Sequence, residues 1–175
     1  MRWISAAVPA TAVLLPLAGC SDADAPTEAT GAAGKPASPM SQAARKLDAG
    51  DVFTQISAQI SSAHLTGTVT AADDPNHLLG RPHQYTSKIT FPDGRIKPSD
   101  VEGTDKDDVE RGDAIEVFAN AEDAQARAKY IQAITQSLPT LSEYDYISGA
   151  VLVRVSHYLP PTQAASCKTA ADDLA

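Results

Sequence analysis

No large apolar side chain occurs between Ser21 and Pro39, and this gap decides which part of the chain can build a hydrophobic core. The segment consists of Ala, Pro, Thr, Ser and Gly with scattered charges, so it cannot bury enough surface to offset the entropy lost on ordering. We therefore expect residues 20–40 to be a flexible tether and residues 41–175 to form a single folded domain. The full chain of 175 residues is too short for a solute-binding protein with two lobes and a hinge.

The residues before this gap have the pattern of an export signal. Met1–Trp3 carries one positive charge, and Ile4–Leu15 is an apolar stretch with Pro9 inside it. A transmembrane helix needs roughly eighteen or more uninterrupted apolar residues, and a proline breaks such a helix. Small residues then precede Cys20, as they do at the cleavage site of a signal peptide. We therefore expect residues 1–19 to be a signal peptide.

The four residues Leu17-Ala18-Gly19-Cys20 resemble the lipobox of bacterial lipoproteins. That resemblance implies cleavage after Gly19 and transfer of diacylglycerol to the Cys20 sulfur, a reaction that needs a thiolate-like nucleophile. Two acyl chains anchor a protein stably, whereas one does not. We therefore predict a protein held by lipid on Cys20 at the extracytoplasmic face of the cell membrane. The alternative is an ordinary secretory signal with a cysteine there by chance.

The charge balance argues against nucleic acid as a partner. The chain has 14 Lys and Arg against 22 Asp and Glu, a formal net charge of -8, whereas a nucleic-acid-binding domain needs a basic face that neutralises phosphates. The cysteine count of two excludes a scaffold held by several disulfides. Cys167 lies on the apolar stripe of the last predicted helix, which favours a buried and unreactive thiol.

Hydrophobic periodicity and turn residues predict a helix, three strands, a second helix, a further strand and a last helix. The first helix is expected to begin at an Asp51 N-cap, and the long second helix to follow an Asn120 cap and end before Pro139. The strands are expected at 65–71, 85–91, 114–118 and 144–158 (one strand, or two joined at Gly149), and the last helix from Pro160-Pro161 onwards.

This order of elements predicts an α+β fold, namely a two-layer sandwich of about four mostly antiparallel strands with helices packed on one face. An alternative stays open for the middle of the chain. There, strand 114–119, helix 121–138 and strand 144–156 could form a right-handed parallel crossover.

Three segments together resemble a family of actinobacterial lipoproteins that has no assigned activity. The distinctive segment is Asp74–Lys88, which reads DPNHLLGRPHQYTSK, and the other two are Ile115–Phe118 and Leu152–Ser156. The resemblance spans about residues 74–158. It implies a lipid-anchored protein with a single domain, and it supplies no catalytic residues to carry over.

The candidate ligand-binding residues all lie in one unusual loop, residues 73–88; they are Asp74, Asn76, His77, Arg81, His83 and Tyr85. In one interpretation the loop forms a pocket in which Arg81 clamps an anion, Tyr85 forms a wall and the histidines make polar contacts. In the alternative the loop is structural, with Leu78 and Leu79 filling the core and Arg81 paired with Asp74.

The sequence lacks the familiar catalytic motifs G-x-S-x-G, H-E-x-x-H, C-x-x-C, S-x-x-K and the phosphate-binding loop. His77 and His83 provide too few ligands for a typical zinc site. In the acidic loop 100–113, Asp105, Asp107 and Asp108 lack the spacing of a calcium-binding EF-hand. We therefore predict no catalytic residues, no metal and no cofactor.

Three hypotheses for function follow from these observations. The leading one is a non-catalytic module of the cell envelope that binds an envelope protein or a small ligand at the membrane surface. The second is an extracytoplasmic regulator or inhibitor of a membrane-bound partner. The third is an enzyme of unknown type that uses the 74–85 loop.

Overall fold

The computed structural model of the chain describes residues 46–174. The predicted signal peptide, the lipidation site Cys20 and the tether lie outside the described residues. The described part contains four strands and three α-helices, in the order α1 (Ala49–Gln59), β1 (Ser87–Pro92), β2 (Gly112–Val117), α2 (Ala121–Ser137), β3 (Glu143–Ser148), β4 (Val151–Ser156) and α3 (Pro161–Asp172).

The four strands form one sheet in the order β1-β2-β4-β3, and every pair of neighbours is antiparallel. The predicted α+β sandwich with four antiparallel strands is therefore confirmed. The sequence left 144–158 open as one strand or as two joined at Gly149, and the second alternative is confirmed. The two strands turn back on each other at Gly149, where φ is 53°. Because β2 and β3 are both antiparallel to β4, they run parallel to each other. The predicted crossover thus exists, but β4 lies between its two strands.

The strand predicted at 65–71 was wrong. This segment touches the outer edge of β1 through a single bridge between Thr68 and Ile89 and two hydrogen bonds. The Val69 N–H donates to the Lys88 carbonyl at 3.1 Å, and the Thr66 hydroxyl donates to the Thr90 carbonyl at 3.5 Å. Most side chains of the segment are exposed. The β-branched residues of this segment favour an extended backbone, but the segment has no apolar face that could pack on the core and hold a full strand in the sheet.

The helices α1 and α2 begin at side-chain caps. Asn120 caps α2 as predicted, because its Oδ1 accepts a hydrogen bond of 2.9 Å from the Asp123 N–H while its amide group donates to Asp123 Oδ2 at 2.9 Å. The cap predicted for α1 was wrong by one turn. Asp48, not Asp51, caps that helix, and Asp48 Oδ1 accepts a hydrogen bond of 2.9 Å from the Asp51 N–H.

Helices cover both faces of the sheet. The main core packs α1 and α3 together against one face, to which Val151, Val153 and Val155 contribute as predicted. The expectation that helices share one face holds for α1 and α3. In contrast, α2 lies on the opposite face, where its buried side chains contact Tyr85, Phe118 and Leu152. Strand alternation also places Lys88, Glu116 and Arg154 on that second face. Because α2 covers this face, these buried charges need ion-pair or hydrogen-bond partners.

The burial of Cys167 and the length of the helices bear on two further properties of the described residues. Cys167 is 2% exposed in the core between α3 and the sheet, as its place on the apolar stripe predicts. Within residues 46–174 the helices are too short or too polar for any of them to cross a membrane.

Asp113 is a buried acid beneath the α1 and α3 layer. It is 2% exposed, and its Oδ1 has no hydrogen-bond partner among the described residues. Burial, together with the nearby Asp93 carboxylate, raises the pKa of Asp113 to about 8. The folded protein therefore holds this side chain as the neutral acid near neutral pH, whereas the unfolded chain ionises it near the ordinary aspartate pKa of 3.8.

This difference predicts how stability depends on pH. Because the unfolded chain releases the Asp113 proton first, the free energy of unfolding falls as pH rises from about 4 to about 8. Asp113→Asn mimics the neutral acid and should make the protein more stable at pH 8 by at least about 1 kcal/mol, with a smaller gain at pH 5. Urea unfolding at both pH values measures this, with the exposed Asp100→Asn as control. An equal effect of Asp113→Asn at pH 5 and pH 8 would contradict it.

Candidate functional site

A cluster of buried charges lies on the face of the sheet that α2 covers. Lys88 on β1 and Glu116 on β2 stand opposite each other in the strand register and are 3% and 0% exposed. Arg154 reaches the same point from β4, and Arg127 reaches it from α2. Buried charges are costly in free energy unless they are paired, so the stability of this face depends on the partners of each charged side chain.

Glu116 is the centre of the cluster. Its Oε2 accepts a hydrogen bond of 3.0 Å from Arg127 Nε, and its Oε1 accepts one of 3.1 Å from Arg154 Nη1. Burial alone would raise the pKa of Glu116, but Arg154, Arg127 and Lys88 outweigh burial and hold that pKa below its usual value. Arg154 also donates two hydrogen bonds, of 2.7 and 2.8 Å, to the Glu143 carboxylate on β3. All four strands and α2 therefore meet at this cluster.

Asp74 and Tyr85 form a second buried pair next to the cluster, and both are 0% exposed. The Tyr85 hydroxyl donates to both Asp74 oxygens at 2.8 and 2.7 Å, and the Leu78 and Leu79 N–H groups donate to Asp74 Oδ2 at 2.8 and 3.0 Å. Burial would raise the pKa of Asp74, but these donors and Lys88 lower it to about 2. Burial and the neighbouring carboxylate raise the pKa of Tyr85 above its usual value.

The predicted ion pair between Arg81 and Asp74 was wrong. Asp74 is fully buried and satisfied by Tyr85 and backbone N–H groups, whereas Arg81 is exposed and has no ion-pair partner within residues 46–174. The other part of that interpretation holds, because Leu78 and Leu79 pack half-buried against the core that contains Tyr85. The 74–85 loop is thus anchored from its inner side.

The remaining candidate residues of the loop lie on its outer side. Asn76, His77 and His83 are exposed, and His83 Nδ1 lies 3.0 Å from Asp123 Oδ1 at the start of α2. The backbone adopts positive φ at His77 (52°), Gly80 (77°) and His83 (60°), so the loop makes tight turns there. Of the six candidates, the structure places Asn76 and His83 beside cavities and buries Asp74 and Tyr85 beneath them.

A cavity of about 280 Å³ opens over the charge cluster, and we call it the polar groove. Its lining combines the cluster residues Lys88, Arg127, Arg154 and Glu143 with Asn76, with the acids Asp107, Asp108 and Glu110, and with Ser156 and His157. Its volume is close to the lower end of the range of small-molecule sites, about 300 to 1,000 Å³.

Lys88 is the unusual member of the polar groove. Its Nζ lies 3.7 Å from Asp74 Oδ1 and 3.8 Å from Glu116 Oε1, both too far for a hydrogen bond. In the described part of the chain this ammonium group donates no hydrogen bond, although the residue is 3% exposed. Burial lowers the pKa of Lys88, and the two carboxylates offset this only in part. Lys88 is thus a largely buried lysine whose ammonium group makes no hydrogen bond to a described residue and lies open to the groove.

Two other polar atoms near this face are also unpartnered among the described residues, namely His157 Nδ1 and Asp145 Oδ1. Burial and the neighbouring Glu143 raise the pKa of Asp145 to about 8. Residues 46–174 contain no group of three or more His, Cys, Asp or Glu side chains arranged to hold a metal ion.

The sequence interpretation did not include Lys88, Glu116, Arg127 and Arg154 among the site residues. A signal was present, because SKITF, IEVF and LVRVS each place one charged residue inside a strand-like apolar segment. A charged residue inside such a segment indicates a strand whose second face is covered by another element and contains polar side chains.

The loop geometry predicts different effects for two substitutions. Arg81→Ala should change the free energy of unfolding by less than about 0.5 kcal/mol, because the side chain is exposed and unpaired among the described residues. Tyr85→Phe removes a buried donor from Asp74 and should cost about 1–3 kcal/mol. Urea unfolding of the two variants separates these outcomes. A loss in Arg81→Ala as large as that in Tyr85→Phe would show that Arg81 has a structural partner.

Comparisons with protein-family models, with curated proteins and with solved structures found no match for this chain. The resemblance over residues 74–158 therefore stays a prediction. The buried charges, the unsatisfied Lys88 ammonium group and the groove above them are the grounds for a functional proposal.

Proposed function

We propose that this protein is a non-catalytic binding module of the cell envelope, anchored by lipid on Cys20, which binds a small carboxylate-bearing molecule in the polar groove. The observation that carries the proposal is Lys88, whose buried ammonium group lines the groove without donating a hydrogen bond to any described residue. In the proposed complex, the carboxylate oxygens of the ligand accept the hydrogen bonds that the Lys88 ammonium group does not make with the protein.

The chemistry of Lys88 favours an anionic acceptor. A hydrogen bond between an ammonium group and a carboxylate is roughly twice as strong as a neutral one, and it is strengthened further where water is excluded. Arg127 lines the same groove and uses Nε and Nη2 on Glu116, at 3.0 and 3.5 Å. Its Nη1 makes no hydrogen bond within residues 46–174, so it can contribute a second contact to the same carboxylate.

The acids around the groove limit how much negative charge a ligand can carry. Glu116 and Glu143 are neutralised by the arginines that hold them, and Asp107 is paired with Lys106 at 2.8 Å. Asp108 and Glu110 also line the groove and have no ion pair with a described residue. The chain as a whole carries a formal net charge of -8. A molecule with one carboxylate is therefore favoured over polyphosphates and other polyanions, which this field repels.

The state of the groove side chains favours binding over catalysis. Arg154 and Glu116 are locked in ion pairs, so neither is poised to give or take a proton. The Ser156 hydroxyl donates to the Glu110 carbonyl at 2.7 Å and is not activated by a base. Side chains that are held in ion pairs in this way are suited to holding an anion in one orientation.

The location of the module rests on the sequence. The lipobox at Leu17–Cys20 supplies the anchor, and a tether of about 20 residues has a root-mean-square reach of roughly 25 Å.

Removal of the Lys88 charge tests the binding site. Wild-type protein titrated with propionate should show saturable amide shifts in two-dimensional NMR spectra around the polar groove. Lys88→Met keeps the side-chain length and should weaken propionate binding by about tenfold or more, as the loss of a buried charge-assisted contact predicts. Lys129→Met, on an exposed position of α2, is the matched control.

Two results would count against the site. One is a wild-type protein that shows no saturable shift with propionate. The other is a folded Lys88→Met protein, judged by its spectrum without ligand, that binds propionate as well as Lys129→Met does.

Removal of the predicted lipid tests the location. Cys20→Ser should leave the protein unprocessed or release it from the membrane fraction, because serine cannot form the thioether. Cell fractionation and the mass of the N-terminal peptide measure this, and Ser21→Ala is the control. A Cys20→Ser protein that stays in the membrane fraction as the same processed species would contradict lipid anchoring.

A further inference from the structure

We infer that the ligand of the polar groove carries an apolar group of about the size of an aromatic ring, and that this group lies in a second cavity beside the groove. This inference rests on the proposed function, because it assigns the part of the ligand that the carboxylate site does not hold. The second cavity has a volume of about 500 Å³ and is lined by Leu78, His83, Gln84, Ala126 and Tyr130 together with Asn76 and Arg127.

The two cavities adjoin each other. Asn76 and Arg127 line both of them, so these two side chains form the boundary between the polar groove and the second cavity. The position of Arg127 is fixed from below, because Nε and Nη2 are bonded to Glu116. A molecule whose carboxylate contacts Lys88 and Arg127 can therefore extend past Arg127 into the second cavity.

The second cavity differs from the polar groove in its chemistry. Among the described residues no acid lines it. Leu78, Ala126 and the Tyr130 ring form its apolar part, and Asn76, His83, Gln84 and Arg127 form its polar part. Tyr130 is 60% exposed, the largest exposed fraction among the large apolar side chains of residues 46–174. Covering this surface with an apolar group of a ligand is favourable by the ordinary hydrophobic effect.

The Arg127 guanidinium group lies 5.8 Å from the centre of the Tyr130 ring. A guanidinium group against a tyrosine ring is a cation–π contact, and together the two groups present a partly flat surface at the junction of the cavities. Flat aromatic groups pack well on such a surface, in stacked or edge-on geometry. The shape and the chemistry therefore favour an aryl group over a polyol or a second charge.

A pair of probes with the same carboxylate tests this assignment. The full chain is titrated with propionate and with 3-phenylpropionate, which differ only in the ring, and binding is followed by two-dimensional NMR. Wild-type protein should bind 3-phenylpropionate at least about tenfold more tightly than propionate, as burial of a ring against an apolar wall predicts.

Three variants locate the ring. Tyr130→Ala should reduce the advantage of 3-phenylpropionate to less than about threefold and leave propionate affinity unchanged. Ala126→Trp fills the cavity and should have the same effect. Leu65→Ala removes another exposed apolar side chain, 51% exposed against 60% for Tyr130, from a segment that lines neither cavity, and it should keep the full advantage.

The outcomes separate this inference from the proposed function. If wild-type protein binds neither probe, the proposed function falls and this inference falls with it. If both probes bind with equal affinity, the carboxylate site stands and the second cavity has no role in binding. The inference is also overturned if the Tyr130→Ala and Ala126→Trp proteins keep the advantage of 3-phenylpropionate, or if they lose propionate binding as well.

Discussion

The buried ion pairs around Glu116 are the interaction on which the second face of this sheet depends. A fully buried carboxylate accepts hydrogen bonds from Arg127 on α2 and Arg154 on β4, and Arg154 in turn holds Glu143 on β3. Removal of Glu116 would leave Arg127 buried without an ion-pair partner among the described residues, which is strongly destabilising. The apolar core between α1, α3 and the other face stabilises the fold by burial, whereas α2 is held by its own apolar cluster and by the ion pair of Arg127 with Glu116.

The polar groove lies above the same cluster of buried charges, and the cluster residues form part of its lining. Three cations and two carboxylates meet above the central strands, and hydrogen-bond geometry satisfies all of them except Lys88 among the described residues. Asp74 and Tyr85 hold the 74–85 loop against the sheet, so that Asn76 stands at the rim. The loop that looked distinctive in the sequence therefore supports a site whose charges come mainly from the strands and α2.

The sequence predicted those features that local chemistry decides. Periodicity and caps gave the α+β class, the Asn120 cap, the strand turn at Gly149 and the burial of Cys167. Two local predictions failed because the deciding information was not local. Asp48 and Asp51 are equally good caps by residue type, and the segment 65–71 needed an apolar face that it lacks. Glu116 and Arg154 are 38 residues apart, so only strand register brings them together.

Proton binding by Lys88 provides the most direct test of the proposed site. The Cε chemical shift of Lys88 can be followed against pH with and without saturating propionate, and Lys88→Met identifies its signal. The free protein should titrate below the ordinary lysine pKa of about 10.4, because burial disfavours the charged form. Propionate should raise the pKa of Lys88, because the carboxylate binds the ammonium form more tightly. An identical midpoint with and without propionate would contradict a carboxylate site at Lys88.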